Sequence, residues 1–266
     1  MVSVGSIIVM LLCALLGIAA PIFLGWWLVK KYKVRVETIL AGAGVFIVFA
    51  LVLESLVHNI VLKGPHGPAI TGNIWYYALY GGLAAALFEE TGRFLAMKFL
   101  LKKEPSAAKT AVAYGVGHGG AEMLLIFGLT MISNLVISLM INAGQADTIL
   151  ATVPAEGKEQ VQAQFAQLQT TGAGSFFLGL WERVSALILQ LGLSVLVWAA
   201  VRKGGKWMWL FPAAMLLHFV VDAAVVLLAG TVSTVMVETI VFAMAVSVGA
   251  IACMVARKAF QEDSKE

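Results

Sequence analysis

Charge is scarce in this chain. Only 12% of its 266 residues are Asp, Glu, Lys or Arg, and 61% are hydrophobic. Soluble domains carry about 25% charged and about 45–50% apolar residues, so there is too little polar material here to cover a compact globule. Cysteine is nearly absent as well. The two present, Cys13 and Cys253, have no CxxC spacing and lie within apolar segments, which excludes a disulfide framework and a zinc ribbon. No basic residue precedes the first apolar run, from Val4 to Val29, and that run exceeds the roughly 7–15 residues of a signal-peptide core. It reads as a retained helix. The net charge of +3 comes from short basic clusters between apolar runs, not from a continuous basic face, so nothing points to nucleic acid.

What the chain has is long apolar runs, at 4–29, 37–62, 74–101, 108–141, 173–201, 207–229 and 234–256. A bilayer core of roughly 30 Å takes about 20 such residues per helix. Backbone groups in hydrocarbon must bond internally, so these runs are helices and not open strands. The expectation is an all-α, polytopic transmembrane bundle of about seven spans, forming one integral membrane domain over residues 1–266 in a cell membrane. The fourth run is too long for a simple span, and Gly115, Gly117, Gly119 and Gly120 mark a kink or a close approach of helices, or of a substrate backbone. Residues 143–172, with Pro154, Glu156, Lys158, Glu159 and many glutamines, form the one substantial loop, with a short amphipathic helix near 156–169.

Lysine and arginine set the orientation. Of the 18, fourteen fall in alternate connections: Lys30 to Arg35, Lys98 to Lys109, Arg202 to Lys206, and the C-terminal tail. Lys63 and Lys158 fall in the other set, and Arg93 and Arg183 lie inside apolar runs. This bias places the C-terminus in the cytoplasm, with the N-terminus and the 143–172 loop outside.

Ionisable residues inside a membrane are costly and mark function by default. The third run carries Glu89, Glu90 and Arg93; the fourth His118 and Glu122; the fifth Glu182, Arg183 and Gln190; the sixth His218 and Asp222. At about 1.5 Å per helical residue, measured from the nearest basic cluster, Glu89 and Glu122 lie roughly 20 Å deep, and Gln190 and His218 about 18 Å. His118 comes out near 14 Å and Asp222 near 24 Å by the same rise. Four helices thus bring polar groups to one layer. His118/Glu122 and His218/Asp222 are four apart and share a helix face, and imidazole with carboxylate suits Zn²⁺ with one position left for water. This makes His118, Glu122 and His218 candidate metal ligands. Glu90 and Arg93 read as a structural ion pair, as do Glu182 and Arg183. Glu54, His58 and Glu238 fall near the outer interface and receive no role.

The EExxR of Glu89, Glu90 and Arg93, the glycine-rich helix with His118, and the HxxxD of His218 and Asp222 resemble the CAAX-protease and bacteriocin-processing superfamily. GxGHGGxE, the segment around Glu182 and the span pattern resemble more closely the bacterial YhfC-type intramembrane metalloproteases. The resemblance covers about residues 75–224. It implies that Glu89 activates water, that His118 and His218 bind a metal or position that water, and that Asp222 polarises the scissile carbonyl or completes the site. It also implies a membrane protein or peptide as substrate and the lipid bilayer as surroundings.

Three departures stand out. The EE-to-Arg spacing is one residue shorter than the superfamily pattern, which leaves open whether Glu89 or Glu90 is the base. Tyr114 takes the aromatic place ahead of His118, and Gln190 stands where a further histidine is expected, which leaves the ligand count open. HExxH is absent, as are the paired aspartates of presenilin-type proteases and any Ser or Cys set beside a histidine. An ion or metal transporter built on the same buried groups is the alternative, although no inverted repeat supports it. A scaffold whose polar residues only join helices is another.

The orientation is testable by reporters. A fusion after Glu266 should report the cytoplasm and an insertion near Gly157 the outside. Reversal of both signals, or cytoplasmic labelling of the 143–172 loop, would contradict the span count.

Overall fold

The computed structural model describes residues 1–260, and these are almost wholly helical. Eight helices organise the description: α1 (Val4–Tyr32), α2 (Val36–Leu62), α3 (Ile74–Leu95), α4 (Ala108–Asn142), α5 (Lys158–Thr170), α6 (Ala173–Lys203), α7 (Leu210–Leu228) and α8 (Thr234–Phe260). Their ends lie within a few residues of the apolar runs, because the helices stop where basic and turn residues meet water. The N-terminus of α3 has a specific cause. Asn73 Oδ1 accepts from the backbone N–H groups of Trp75 and Tyr76 at 2.9 and 3.2 Å, which satisfies two donors that open the helix.

Among the described residues, six helices are long and apolar enough to cross a membrane: α1, α2, α4, α6, α8 and the segment Gly205–Leu228 that contains α7. The seventh expected span is α3, continued by a π-helical turn over Ala96–Leu100. It differs from the six in carrying Glu89, Glu90 and Arg93. Large apolar side chains such as Leu40, Ile60, Trp75, Leu87 and Leu216 are more than half exposed, as lipid-facing residues are. The chain is therefore an all-α, multi-pass membrane protein.

Two compact units share the chain. One combines Met1–Ala20 with Met123–Arg183. In it Asn142 bonds both backbone groups of Val2, at 2.7 and 2.9 Å, and Ser6 Oγ donates to the Thr171 carbonyl. The expected loop helix is α5, which buries Phe165 and Leu168. The other unit combines Pro21–Glu122 with the chain from Val184 onward, and it holds every residue considered below as a candidate site. Here α2 packs on the first half of α4, and α3 packs on α7. The apolar core includes Tyr114, Leu193, Leu196, Val197, Trp198, Ala245 and Val248. Of the apolar window of α6, 72% is buried, against 22–28% for the other candidate spans, so α6 is enclosed by protein where the others face outward.

The glycines of α4 are occupied by helix packing. A Cβ on Gly117 would stand 1.9 Å from the Ile39 carbonyl oxygen of α2, and one on Gly42 would stand 2.1 Å from the Tyr114 carbonyl oxygen. On another side, a Cβ on Gly119 would meet Gln190 Cβ at 2.9 Å and one on Gly115 would meet Leu191 Cα at 3.1 Å. Backbones approach here as only small residues permit. The length of α4 is accommodated by a π-helical segment, Met123–Gly128, directly after Glu122. Such widened turns are rare and recur near functional sites.

Gly117→Ala should therefore destabilise the protein by about 3 kcal/mol or more, the upper end for an overpacked core. Gly44→Ala, where nothing lies within 4 Å, should leave thermal unfolding in detergent unchanged or slightly raised. Equal melting temperatures for the two variants would refute the packing account.

Candidate functional site

Consecutive side chains on a helix diverge by about 100°, and α3 uses that divergence to separate Glu89 from Glu90. Glu90 and Arg93 are completely enclosed. Arg93 Nη1 donates to both oxygens of Glu90, at 2.7 and 3.0 Å. The same carboxylate holds Nδ1 of His218 at 2.9 Å from Oε1. His218 Nε2 in turn lies 3.4 Å from Asp222 Oδ2, one helical turn along α7. The Asp222 side chain is 34% exposed, so this end of the chain of contacts reaches the protein surface.

Glu89 points to different partners. His118 Nε2 lies 2.8 Å from its Oε2, and Gln190 Nε2 donates to the same oxygen at 2.8 Å. Gln190 Nε2 also donates to Glu122 Oε2 at 3.1 Å, while its Oε1 accepts from Arg93 Nη2. The His118 ring is held edge-on by Phe46 and flat by Tyr114, with centroids 5.3 and 6.1 Å away. The result is one connected polar network. It runs from His118 through Glu89, Gln190, Arg93, Glu90 and His218 to Asp222, with Glu122 branching from Gln190. Four helices contribute: α3, α4, α6 and α7.

All five residues expected in the catalytic group, Glu89, Glu90, His118, His218 and Asp222, lie in this network, and so does Glu122. Glu182 and Arg183 pair with each other. Two residues were undervalued from sequence. Gln190 is the hub and not merely a polar residue at matching depth. Glu54, which received no role, ends the π-helical segment Phe46–Glu54 of α2, is buried, and lies within electrostatic reach of Glu89, His218, Asp222 and Glu122. Its partner His58 contacts it at 3.1 Å and the Tyr80 hydroxyl at 2.8 Å. The signal was available: Glu54 and His58 are four apart, the spacing that drew attention to His118/Glu122 and His218/Asp222. Glu238 is also buried, although its position in sequence suggested the interface.

Fold and site together define a multi-pass membrane protein with a carboxylate–imidazole centre enclosed among its helices. The model of a family described as YhfC intramembrane metalloprotease matches residues 16–242, and the chain belongs to that family. It is similar to a Bacillus subtilis (strain 168) protein named "Uncharacterized membrane protein YhfC". The two are 36% identical over 229 residues, which cover 85% of this chain and 86% of that one. No solved structure matches it.

The family description implies a metal, and the donor types present would suit one. Their directions do not. Arg93 can only donate, so it fixes Gln190 Oε1 toward itself and turns the Gln190 amide hydrogens onto Glu89 and Glu122, where a cation would have to bind. His118 Nε2 is already paired with Glu89, and His218 Nδ1 with Glu90. Among the described residues no three His, Cys, Asp or Glu side chains are grouped to hold an ion. In this arrangement the residues do not fit a metal.

Glu90→Gln should act chiefly on stability. It leaves a fully buried guanidinium short of its counter-charge, a change that costs about 3–5 kcal/mol. Thermal unfolding should fall well below that of Glu37→Gln, whose side chain is 66% exposed. Equal stability of the two variants would show that the Arg93 charge is compensated elsewhere.

Proposed function

We propose that this protein is a membrane peptidase in which Glu89, oriented by His118, activates the water that hydrolyses a peptide bond of a membrane-anchored substrate. The observation that carries this reading is the pairing of Glu89 with His118 at 2.8 Å, separate from the Glu90–Arg93 ion pair. Glu90 is committed to Arg93 and His218 and has no exposed surface; Glu89 retains 7% exposure. Of the two adjacent glutamates, Glu89 is the one suited to be the base.

His118 and Gln190 both bond Oε2 of Glu89, which leaves Oε1 to take the proton. As the water oxygen attacks the carbonyl carbon, its proton passes to Glu89. The C–N bond then breaks, and Glu89 returns that proton to the departing amine. His218, fixed through Nδ1 by Glu90, sits beside Asp222 at the open end of the network, where its Nε2–H can donate to the carbonyl oxygen and Asp222 orients the ring. Zn²⁺ is the ion that imidazole and carboxylate donors would select, but the donor directions described above do not converge on one, so each step here rests on the chain's own groups. With α3 counted beside the six apolar helices the chain crosses the membrane seven times, N-terminus outside and C-terminus in the cytoplasm, in keeping with its basic loops.

The test uses detergent-solubilised protein and a library of membrane-anchored peptides. Glu89→Gln, which keeps shape and removes the base, should lower cleavage by about 10²–10⁴-fold with little change in melting temperature. His118→Ala should be similarly inactive. Full activity in Glu89→Gln beside a folded but inactive Glu90→Gln would reverse the assignment of the two glutamates. Activity untouched in all three variants would end the peptidase reading of this site.

A further inference from the structure

Gln190 is the one uncharged side chain in the network that bonds three ionisable groups: Glu89, Glu122 and Arg93. It is 3% exposed and sits on α6, the helix most enclosed by protein. Its position is built into the packing, since Gly119 of α4 lies against its Cβ. Amide orientation is often ambiguous from geometry alone. Here it is not, because a guanidinium has no acceptor and the amide oxygen must face Arg93. The –NH₂ group therefore faces the two carboxylates, at 2.8 and 3.1 Å, and both its hydrogens are used.

We propose that Gln190 is a positioning residue that, together with His118, clamps one oxygen of the Glu89 carboxylate and so sets the direction of the other. The inference rests on the reading of Glu89 as the base. A neutral amide suits the task for a physical reason: it donates two hydrogen bonds without bringing a cation that would compete for the base. Gln190 also joins the Glu89–His118 pair to the Arg93–Glu90–His218–Asp222 branch, so the base and the carbonyl-facing pair are held in one frame. Loss of the clamp frees Glu89 to rotate about its own side-chain torsions. Misplacement of a reacting group by about 1 Å can cost roughly 10²-fold in rate.

The experiment compares Gln190→Glu and Gln190→Met with wild type on a quenched-fluorescent, membrane-anchored peptide selected from the library by the wild-type protein. Gln190→Glu keeps an acceptor for Arg93 but removes both donors; Gln190→Met keeps approximate length and removes all polar contacts. Each should lose about 10²-fold in kcat with KM unchanged. Wild-type kcat in Gln190→Glu, or a loss confined to KM, would overturn the clamp. Glu89→Gln is run in parallel to separate the two readings. If it is inactive while Gln190→Glu is fully active, the base stands and the clamp falls; if it is fully active, the base reading itself has failed. A readout independent of cleavage is the melting temperature of Glu89→Leu, which removes the acceptor, of Gln190→Met and of the double variant. The losses should not add, because either change alone removes the shared bond, whereas strictly additive losses would overturn the contact. If Gln190→Met does not fold, Gln190→Asn, one methylene shorter, replaces it in both assays.

Discussion

The arrangement depends on keeping Arg93 charged with no exposed surface. An arginine at a helix centre in hydrocarbon costs at least about 2.5–3.5 kcal/mol on insertion scales. The cost is met locally by the bidentate Glu90, three residues earlier on the same helix, and by the side-chain amide oxygen of Gln190 from α6. Three further contacts in the site follow from these two. Glu90, drawn to Arg93, has an oxygen that holds His218. Gln190, turned by Arg93, has its amide hydrogens directed to Glu89 and Glu122. One buried cation thus sets the orientation of groups on α3, α4, α6 and α7.

Such a network closes only if the helices stand close together. The side chains concerned are short, and the bonds between Glu89 and His118 and between Glu89 and Gln190 are both 2.8 Å. Glycine allows this. Gly115 and Gly119 admit α6 to one side of α4, while Gly117 on α4 and Gly42 on α2 admit each other's backbones. Lipid gives helices no hydrophobic reason to associate, so close packing and interhelical hydrogen bonds supply the association here. The glycine-rich sequence around His118 is therefore a packing device. It is not an opening for a substrate backbone, because Ile39, Leu191 and Gln190 already occupy the space it leaves.

These features explain what could be read from the sequence. Span positions were legible because hydrophobicity and basic flanks are properties of single segments: the run 74–101 became α3 and its π-helical turn to Leu100, and 173–201 became α6. The layer of polar groups was legible through depth. Glu89, Glu122 and Gln190 are level to within about 2 Å by helical rise, and the Gln190 amide donates to both carboxylates. The hub role of Gln190 was not legible, since it depends on helix rotation and on the direction of Arg93, and neither is encoded in spacing. Glu54 was missed for another reason. It was set aside on its depth near the outer interface, and depth does not tell which way a residue faces; the nine-residue π-helical segment that it ends changes that rotation relative to a regular helix. The split of the chain into two units, with boundaries inside α1, α4 and α6, has no signature in composition at all.

The adjacent glutamates show how stability and chemistry divide between neighbouring residues. Both come from one helical turn and one sequence motif, yet the rotation of about 100° between them assigns opposite tasks. Glu90 is bonded on both oxygens by Arg93 and on one of them by His218, so its carboxylate is committed to structural partners. Glu89 is engaged through a single oxygen, by an imidazole and an amide, so one oxygen is anchored and the other is left to react. A base inside a membrane has to be held firmly enough to aim and loosely enough to change protonation state. The first need is met by neighbours that are themselves fixed by the Arg93 network. The second is served by connectivity: Arg93 bonds Glu90 directly and reaches Glu89 by hydrogen bonds only through the Gln190 amide, so no guanidinium bond ties up the Glu89 carboxylate.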